Sequence, residues 1–335
     1  MEKTIHEVHD MNMIIKEILS AILLTILIPA ALFSTVPAYE PLQNSQPMTQ
    51  IQQPDAPAVS NPVTICVKTK SGAFTYMDIE EYVCGVVLGE MPASFETEAL
   101  KAQAVAARTY ALRCARDGSH ENNAVCMEHT CCQAYCDPKR YIATGGRQSN
   151  LDKILSAVAE TKGEVATYNG KLIFATYFAS SGGQTEDAVA VWGRSFPYLV
   201  SVDSPGEQDK SYQNSKVTFT AKEFQEKLGI TLAGTPKTWF GKLTYSDGGG
   251  VDKAVIGGKT YTGVKLRSLL GLRSTKFTVE ATQSSVIIKT NGYGHRVGMS
   301  QYGADAMAVS GSNYKEILKH YYKGIEIVRY PITAD

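Results

Sequence analysis

Apolar and polar positions alternate with changing period along this chain, and the changes divide it into segments. Ile18 to Ala38 carries no charged residue and is rich in Ile, Leu and Ala, enough to cross a hydrocarbon layer that needs about 20 apolar residues. Tyr39 to Pro62 reverses the pattern: Gln recurs, with Pro41, Pro47, Pro54, Pro57 and Pro62 spread through it, a composition that extends rather than packs. Folding is predicted from Val63, where VTICVKT alternates like an opening strand. From Glu96 to Asp117 strong helix formers run without Gly or Pro, and Leu100, Ala104, Ala111 and Cys114 recur at helical spacing. That pattern predicts a buried, Ala-rich central helix, with Lys101 and Arg108 leaving on one side.

Further along, Asp152 to Glu160 reads as a helix. Val165 to Lys171 and Leu172 to Phe178 read as a hairpin turning at Asn169-Gly170. Ser204 to Val279 has another texture, with short β-rich runs at Lys216 to Thr220 and Lys276 to Val279, a helix at Ala221 to Leu228, and turns at Gly248 to Gly250 and Gly257-Gly258. A last helix opens at Asn313, with Glu316 placed for a capping box, and closes by Gly324. The expected fold is α+β: one catalytic region over 63–335 with a central Ala-rich helix and antiparallel strands, and within it a smaller β-rich lobe at about 204–279. It is preceded by a leader (1–17), a transmembrane anchor (18–38) and a tether (39–62).

Lys3 and Lys16 precede the apolar segment, and Pro29 and the long polar leader are untypical of a cleaved signal. An uncleaved single-pass anchor at the cell membrane is therefore expected, with the remainder outside the cytoplasm. The formal net charge is zero and no basic stripe is interleaved with aromatics, which argues against a nucleic-acid partner. Tyr outnumbers Trp 18 to 2, which suits a polar, sugar-like ligand and ordinary half-buried strands equally.

Chemistry concentrates in three places. Glu90 follows Val86, Val87 and Leu88 and precedes Met91-Pro92, so its carboxyl is expected in an apolar turn where desolvation raises the pKa. A carboxyl protonated near neutrality suits a general acid; the alternative is a carboxylate that merely complements the next helix's N-terminus. After the central helix come His120, Cys126, His129, Cys131, Cys132 and Cys136. Disulfides and a structural zinc held by His120, Cys126, Cys131 and Cys132 both fit this density, and a closed four-ligand site would fix a loop without doing chemistry. The third is a pair of glycine-rich loops. Tyr177 leads into one that offers Ser180, Ser181, Gln184 and Thr185, while His295, Ser300 and Gln301 of the other precede a small-residue helix.

LGEMPASFETEALKAQAVAARTYAL, Cys132-Gln133-Ala134-Tyr135, SSGGQTE, VWG…PYL…SVDSP and GHRVGMSQYGADAMA, taken in order, resemble the stage II sporulation protein D family of lytic transglycosylases. The resemblance implies cleavage of the β-1,4 bond from N-acetylmuramic acid to N-acetylglucosamine in peptidoglycan glycan strands, leaving a 1,6-anhydro end during the engulfment step of sporulation. It implies that Glu90 is catalytic, that Arg108 is the helix arginine of the same block, and that a wall amidase and an integral membrane protein are partners. It also implies a metal loop on His120, Cys126, Cys131 and Cys132. Cys131 stands where a His is frequent in the family, so His129 and Cys136 are further candidate ligands. Arg296 stands where Gly is common, and is expected to narrow or recharge the cleft. A non-catalytic wall-binding or amidase-enhancing protein is the competing function.

Overall fold

The computed structural model describes residues 63–207 and 212–330. The central helix, Thr97–Asp117, starts after Glu96 and stops at Gly118, whose φ of 67° is the left-handed geometry that ends helices. Ala99, Leu100, Ala102, Ala104, Val105, Ala106, Ala107 and Ala111 are all fully buried. Small side chains around most of its circumference let other elements approach from several sides. Packed on it are the helices Ile79–Glu90, Gln148–Glu160, Gln301–Val309 and Tyr314–Tyr321, and the strand Glu164–Tyr168.

Two small sheets flank this helical core. Thr64–Lys68 pairs antiparallel with Phe74–Asp78 and parallel with Val125–Cys126. Glu164–Tyr168 lies between Lys171–Leu172 and Glu326–Arg329, antiparallel to both. The expected hairpin turn is present, with Asn169 and Gly170 both at positive φ, the combination that two-residue hairpins require. Its second strand is shorter than expected. The chain leaves after Leu172, and Tyr177–Phe178 instead pairs parallel with Met299–Ser300, which joins the two glycine-rich loops. The last helix has the expected capping box between Asn313 and Glu316 and ends at Tyr321.

The β-rich lobe has a core of its own, built on Phe219, Phe224, Trp239, Leu266, Phe277 and Ile288. One sheet runs Phe277–Ala281, Ser285–Thr290, Ser215–Thr220; the other is a meander of Phe240–Tyr245, Val251–Ile256 and Lys259–Thr262. The lobe thus spans Ser215 to Thr290. Ser204 to Glu207, assigned to it from texture, pack instead against the main core, because Glu207 is bonded there by four serines.

The leader, anchor and tether fall outside the described residues. The expected single-pass location at the cell membrane is corrected here: among the described residues no helix is long and apolar enough to cross a membrane. The longest of them, Thr97–Asp117, carries Glu98, Lys101, Arg108, Arg113, Arg116 and Asp117.

Candidate active site

Glu90 is the last residue of the helix Ile79–Glu90, which Asp78 caps by accepting from the Glu80 and Glu81 amides. Two glycines interrupt this helix, each at a cost near 1 kcal/mol relative to Ala. Their use is close approach. Gly85 faces the ring of Tyr135, and a Cβ on Gly89 would stand 3.1 Å from backbone atoms of Ala134 and Cys136. The Cys136 amide donates to the Gly85 carbonyl at 2.9 Å, and the Ala134 amide donates to Glu90 Oε1 at 2.6 Å. The segment Cys132 to Cys136 is therefore laid along the helix, one face of which has lost its side chains to receive it.

Desolvation is the chief influence on the Glu90 carboxyl and pushes its pKa above the ordinary carboxylate range; the Ala134 amide, the Gln301 and Tyr177 side chains and the nearby His129 oppose it. Gln133 completes the surroundings. Its side-chain amide donates to the Tyr177 hydroxyl at 2.8 Å, and its Oε1 accepts from Tyr82 at 3.3 Å. Gln301, only 5% exposed, turns its amide toward Glu90, and its Nε2 completes no hydrogen bond among the described residues. A buried donor without a partner is costly unless a ligand supplies one.

His295 stands behind this group. Burial, helped by the positive Arg267, pushes its pKa down to about 4, so it is neutral at ordinary pH. Its Nδ1 accepts from the Val297 amide at 3.1 Å, and its ring packs against Phe178 and Trp192 with centroids 5.5 and 5.3 Å apart.

The other residues expected to bind substrate lie elsewhere. Ser180, Ser181 and Ser300 are fully buried and turn their hydroxyls to the Glu207 carboxylate at 2.6–2.8 Å. Ser204 and the Ser181 amide bond the same carboxylate. Thr185 is spent on the Val202 backbone, and Gln184 bonds Ser201. Ser300 also caps its own helix through the Gly303 amide, so the helix start is closed to ligand. The hydroxyl-rich loop is scaffold for a buried carboxylate that its sequence did not announce.

Arg108 is also placed away from Glu90. It is 1% exposed, forks onto both oxygens of Glu80 at 3.0 and 2.5 Å, and donates to the Glu164 carbonyl. With a fourth bond to the Val158 carbonyl, four of its five donors are matched by carboxylate and backbone, so its guanidinium is committed to the fold. Arg296, expected to alter the cleft, is fully buried. It donates to Glu186, the Ser181 and Gln184 carbonyls and the Gly248 carbonyl, and its own φ is 67°. Positive φ explains why glycine suits this position, and the side chain points into the protein interior.

The ligand atoms of His120, Cys126, Cys131 and Cys132 lie within 4.8 Å of one another. His120 Nε2 is 3.2 Å from the Cys132 sulfur and 3.4 Å from that of Cys131. Donors around a tetrahedral metal with bonds of about 2.3 Å stand about 3.8 Å apart, so the four fit a metal ion. All seven cysteines are free thiols, and the disulfide reading finds no pair. His129 and Cys136 stay outside the cluster; the Cys136 thiol is directed to the Asp137 carbonyl at 3.9 Å. The cluster ends at Cys132, one residue before Gln133 and two before Ala134.

Of the residues singled out in the sequence, the fold brings Glu90, Tyr177 and Gln301 together, and likewise His120, Cys126, Cys131 and Cys132. Sequence reasoning missed the Ala134 amide, Gln133 and Glu207. The signal available for the first two was the pair Gly85 and Gly89, four apart and just ahead of Glu90.

A family model described as Stage II sporulation protein matches residues 67–168, a stretch that holds Glu90, the central helix and the metal cluster. Stage II sporulation protein D of Bacillus subtilis (strain 168) is 41% identical over 275 residues, covering 80% of this chain and 80% of that protein. The chain belongs to the stage II sporulation protein D family. The Bacillus amyloliquefaciens stage II sporulation protein D is likewise 41% identical, over 80% of this chain and 79% of its own length. A protein named amidase enhancer from Bacillus subtilis (strain 168) is 32% identical over 73% of this chain and 40% of its own length. The protein is accordingly a member of a sporulation protein family.

Proposed function

We propose that this protein is a peptidoglycan lytic transglycosylase, with Glu90 as its acid and base. The supporting observation is a carboxyl held above its ordinary pKa by burial, steadied by the Ala134 amide, beside a buried Gln301 amide that completes no hydrogen bond among the described residues. None of the five strongest influences on the Glu90 carboxyl is a second carboxylate. A hydrolytic glycosidase ordinarily uses two. One is enough when the sugar's own C6 hydroxyl is the nucleophile. Glu90 gives its proton to the leaving O4 as the bond from C1 breaks; the C6 oxygen closes on C1, and Glu90 takes the C6 hydroxyl proton. The products are a new chain end and a 1,6-anhydro muramic residue. Gln301 and Tyr177 would orient the sugar at Glu90, and the family supports a role in engulfment on strands that an amidase has stripped of stem peptides.

His120, Cys126, Cys131 and Cys132 would hold a zinc ion, which suits three thiolates and an imidazole. With four protein donors it would supply structure, fixing the loop that carries Gln133 and Ala134 to the site.

The competing reading, a wall-binding amidase enhancer, is favoured by the name of the 32% identical relative. The test is fragment release from peptide-free glycan strands by the parent and by Glu90→Gln, alongside sedimentation with the same strands. Release by the parent, lost in a variant that still sediments, supports the enzyme. Sedimentation without release by either protein would favour the binding protein.

A further inference from the structure

A line of aromatic rings leads away from Glu90. Phe95, in the turn after it, meets the ring of Tyr302 at 5.0 Å; Tyr302, next to Gln301, meets Tyr212 at 5.3 Å; Tyr212 meets Tyr293 at 5.1 Å. The line begins buried, with Phe95 6% exposed, and surfaces at Tyr293, 44% exposed. At that end the exposed Arg273 carries its guanidinium 5.6 Å from the Tyr212 ring and 5.8 Å from the Tyr293 ring. Those distances lie near the outer limit of a cation–π contact, so the group is held between the rings without covering either. Among the described residues Arg273 pairs with no carboxylate; its guanidinium makes one long contact, 3.4 Å to Ser215 Oγ. Exposed rings bind the apolar faces of pyranoses, and a planar guanidinium matches a carboxylate bidentately.

We propose that Tyr212, Tyr293 and Arg273 form a subsite for an acidic sugar, with the rings under the pyranose and Arg273 on its carboxylate. Resting on the reading of Glu90 as a glycan-cleaving residue, the acid is the lactyl carboxylate of a muramic acid some residues from the scissile bond. The subsite sets an expected preference between substrates. A stem peptide converts that carboxylate to an amide, which removes the charge Arg273 recognises; an amidase restores it. Arg273 is thus a specificity residue, and the chemistry at Glu90 does not depend on it.

The experiment is calorimetric titration of the full chain carrying Glu90→Gln, which leaves ligand uncut. One ligand is a peptide-free peptidoglycan tetrasaccharide with free lactyl carboxylates, the other the same tetrasaccharide capped as simple amides. Capping is expected to weaken binding about fivefold, the scale of an exposed ion pair. Adding Arg273→Gln should cost the free acid the same factor, leave the amide unchanged, and abolish the difference between the ligands. Tyr293→Ala should weaken both alike. An undiminished preference for the acid in the Arg273→Gln protein, or no preference with Arg273 present, overturns the subsite while leaving the glycan reading standing. Failure of the Arg273-containing protein to bind either tetrasaccharide overturns both.

Discussion

Glu90 shows how one residue's surroundings are set against its own stability. Its carboxyl is buried beside Tyr177 and Gln301, so the charged form is disfavoured, and its folded pKa lies above its unfolded value. The folded chain therefore binds the proton more tightly, and this group's contribution to stability falls as pH rises from the unfolded towards the folded pKa. Glu90→Gln removes that penalty and keeps an oxygen for the Ala134 amide. It is expected to lower turnover by about 10²–10⁴-fold, the usual worth of a general acid–base group, with an unchanged or higher Tm by calorimetry. The rate should also fall on the alkaline side, with a midpoint above the ordinary carboxylate range, as the acid loses its proton. A pH–rate profile flat from pH 4 to 8, a range of about four units around the usual Glu value, would contradict this. Arg108 is the contrasting case. Conspicuous in the sequence, it is buried on Glu80, and Arg108→Met is expected to destabilise by about 3–5 kcal/mol by leaving that carboxylate unpaired, while the folded fraction keeps its KM.

At the scale of elements, the site depends on one segment lying against one helix. Cys132 to Cys136 reaches Glu90 because Gly85 and Gly89 present no side chains to it. Gly89→Ala puts a methyl group against the backbone of Ala134, two residues beyond Cys132 of the His/Cys cluster. The expected result is a loss of about 1–3 kcal/mol in thermal unfolding and a larger fall in turnover than that loss explains, because the Ala134 amide is displaced from Glu90. The metal cluster makes a parallel prediction. On the proposal that the cluster holds zinc, a chelator should lower Tm and turnover together, and Cys132→Ser should lower zinc content measured by atomic absorption. Turnover that persists after the metal is removed would separate the loop from the site.

At the scale of the molecule, the buried carboxylates Glu186 and Glu207 join parts that are distant in sequence. Glu186 accepts from Arg296 at 2.8 Å, Ser246 at 2.9 Å and the Gly250 amide at 3.0 Å, which ties the two glycine-rich loops to a turn of the lobe. Arg296→Met is expected to cost about 3–5 kcal/mol although the residue makes no contact with Glu90. Local pattern was enough to read the central helix, the Asn169-Gly170 turn, the lobe helix and the capping box, because each is decided by residues within a few positions of one another. The setting of Glu90 and the gathering of His120, Cys126, Cys131 and Cys132 were legible for the same reason: apolar neighbours and dense thiols are local signals. The burial of Ser180, Ser181 and Ser300 was not. A hydroxyl-rich loop reads as ligand-binding until Glu207 is placed beneath it, and nothing near Glu207 in sequence marks its partners. Nor could periodicity show that Tyr177–Phe178 would leave its hairpin for Met299–Ser300, since that choice is made between segments more than a hundred residues apart.

The central claim is that the glycan's own C6 hydroxyl, with Glu90 alone as acid and base, replaces water as the nucleophile. It is tested most directly by cutting peptide-free glycan strands in ¹⁸O-enriched water and reading the new muramic ends by mass spectrometry. The account predicts 1,6-anhydro ends without the heavy isotope, and none from the Glu90→Gln protein. Reducing ends carrying one ¹⁸O would mean hydrolysis, and would require a second carboxylate acting with Glu90.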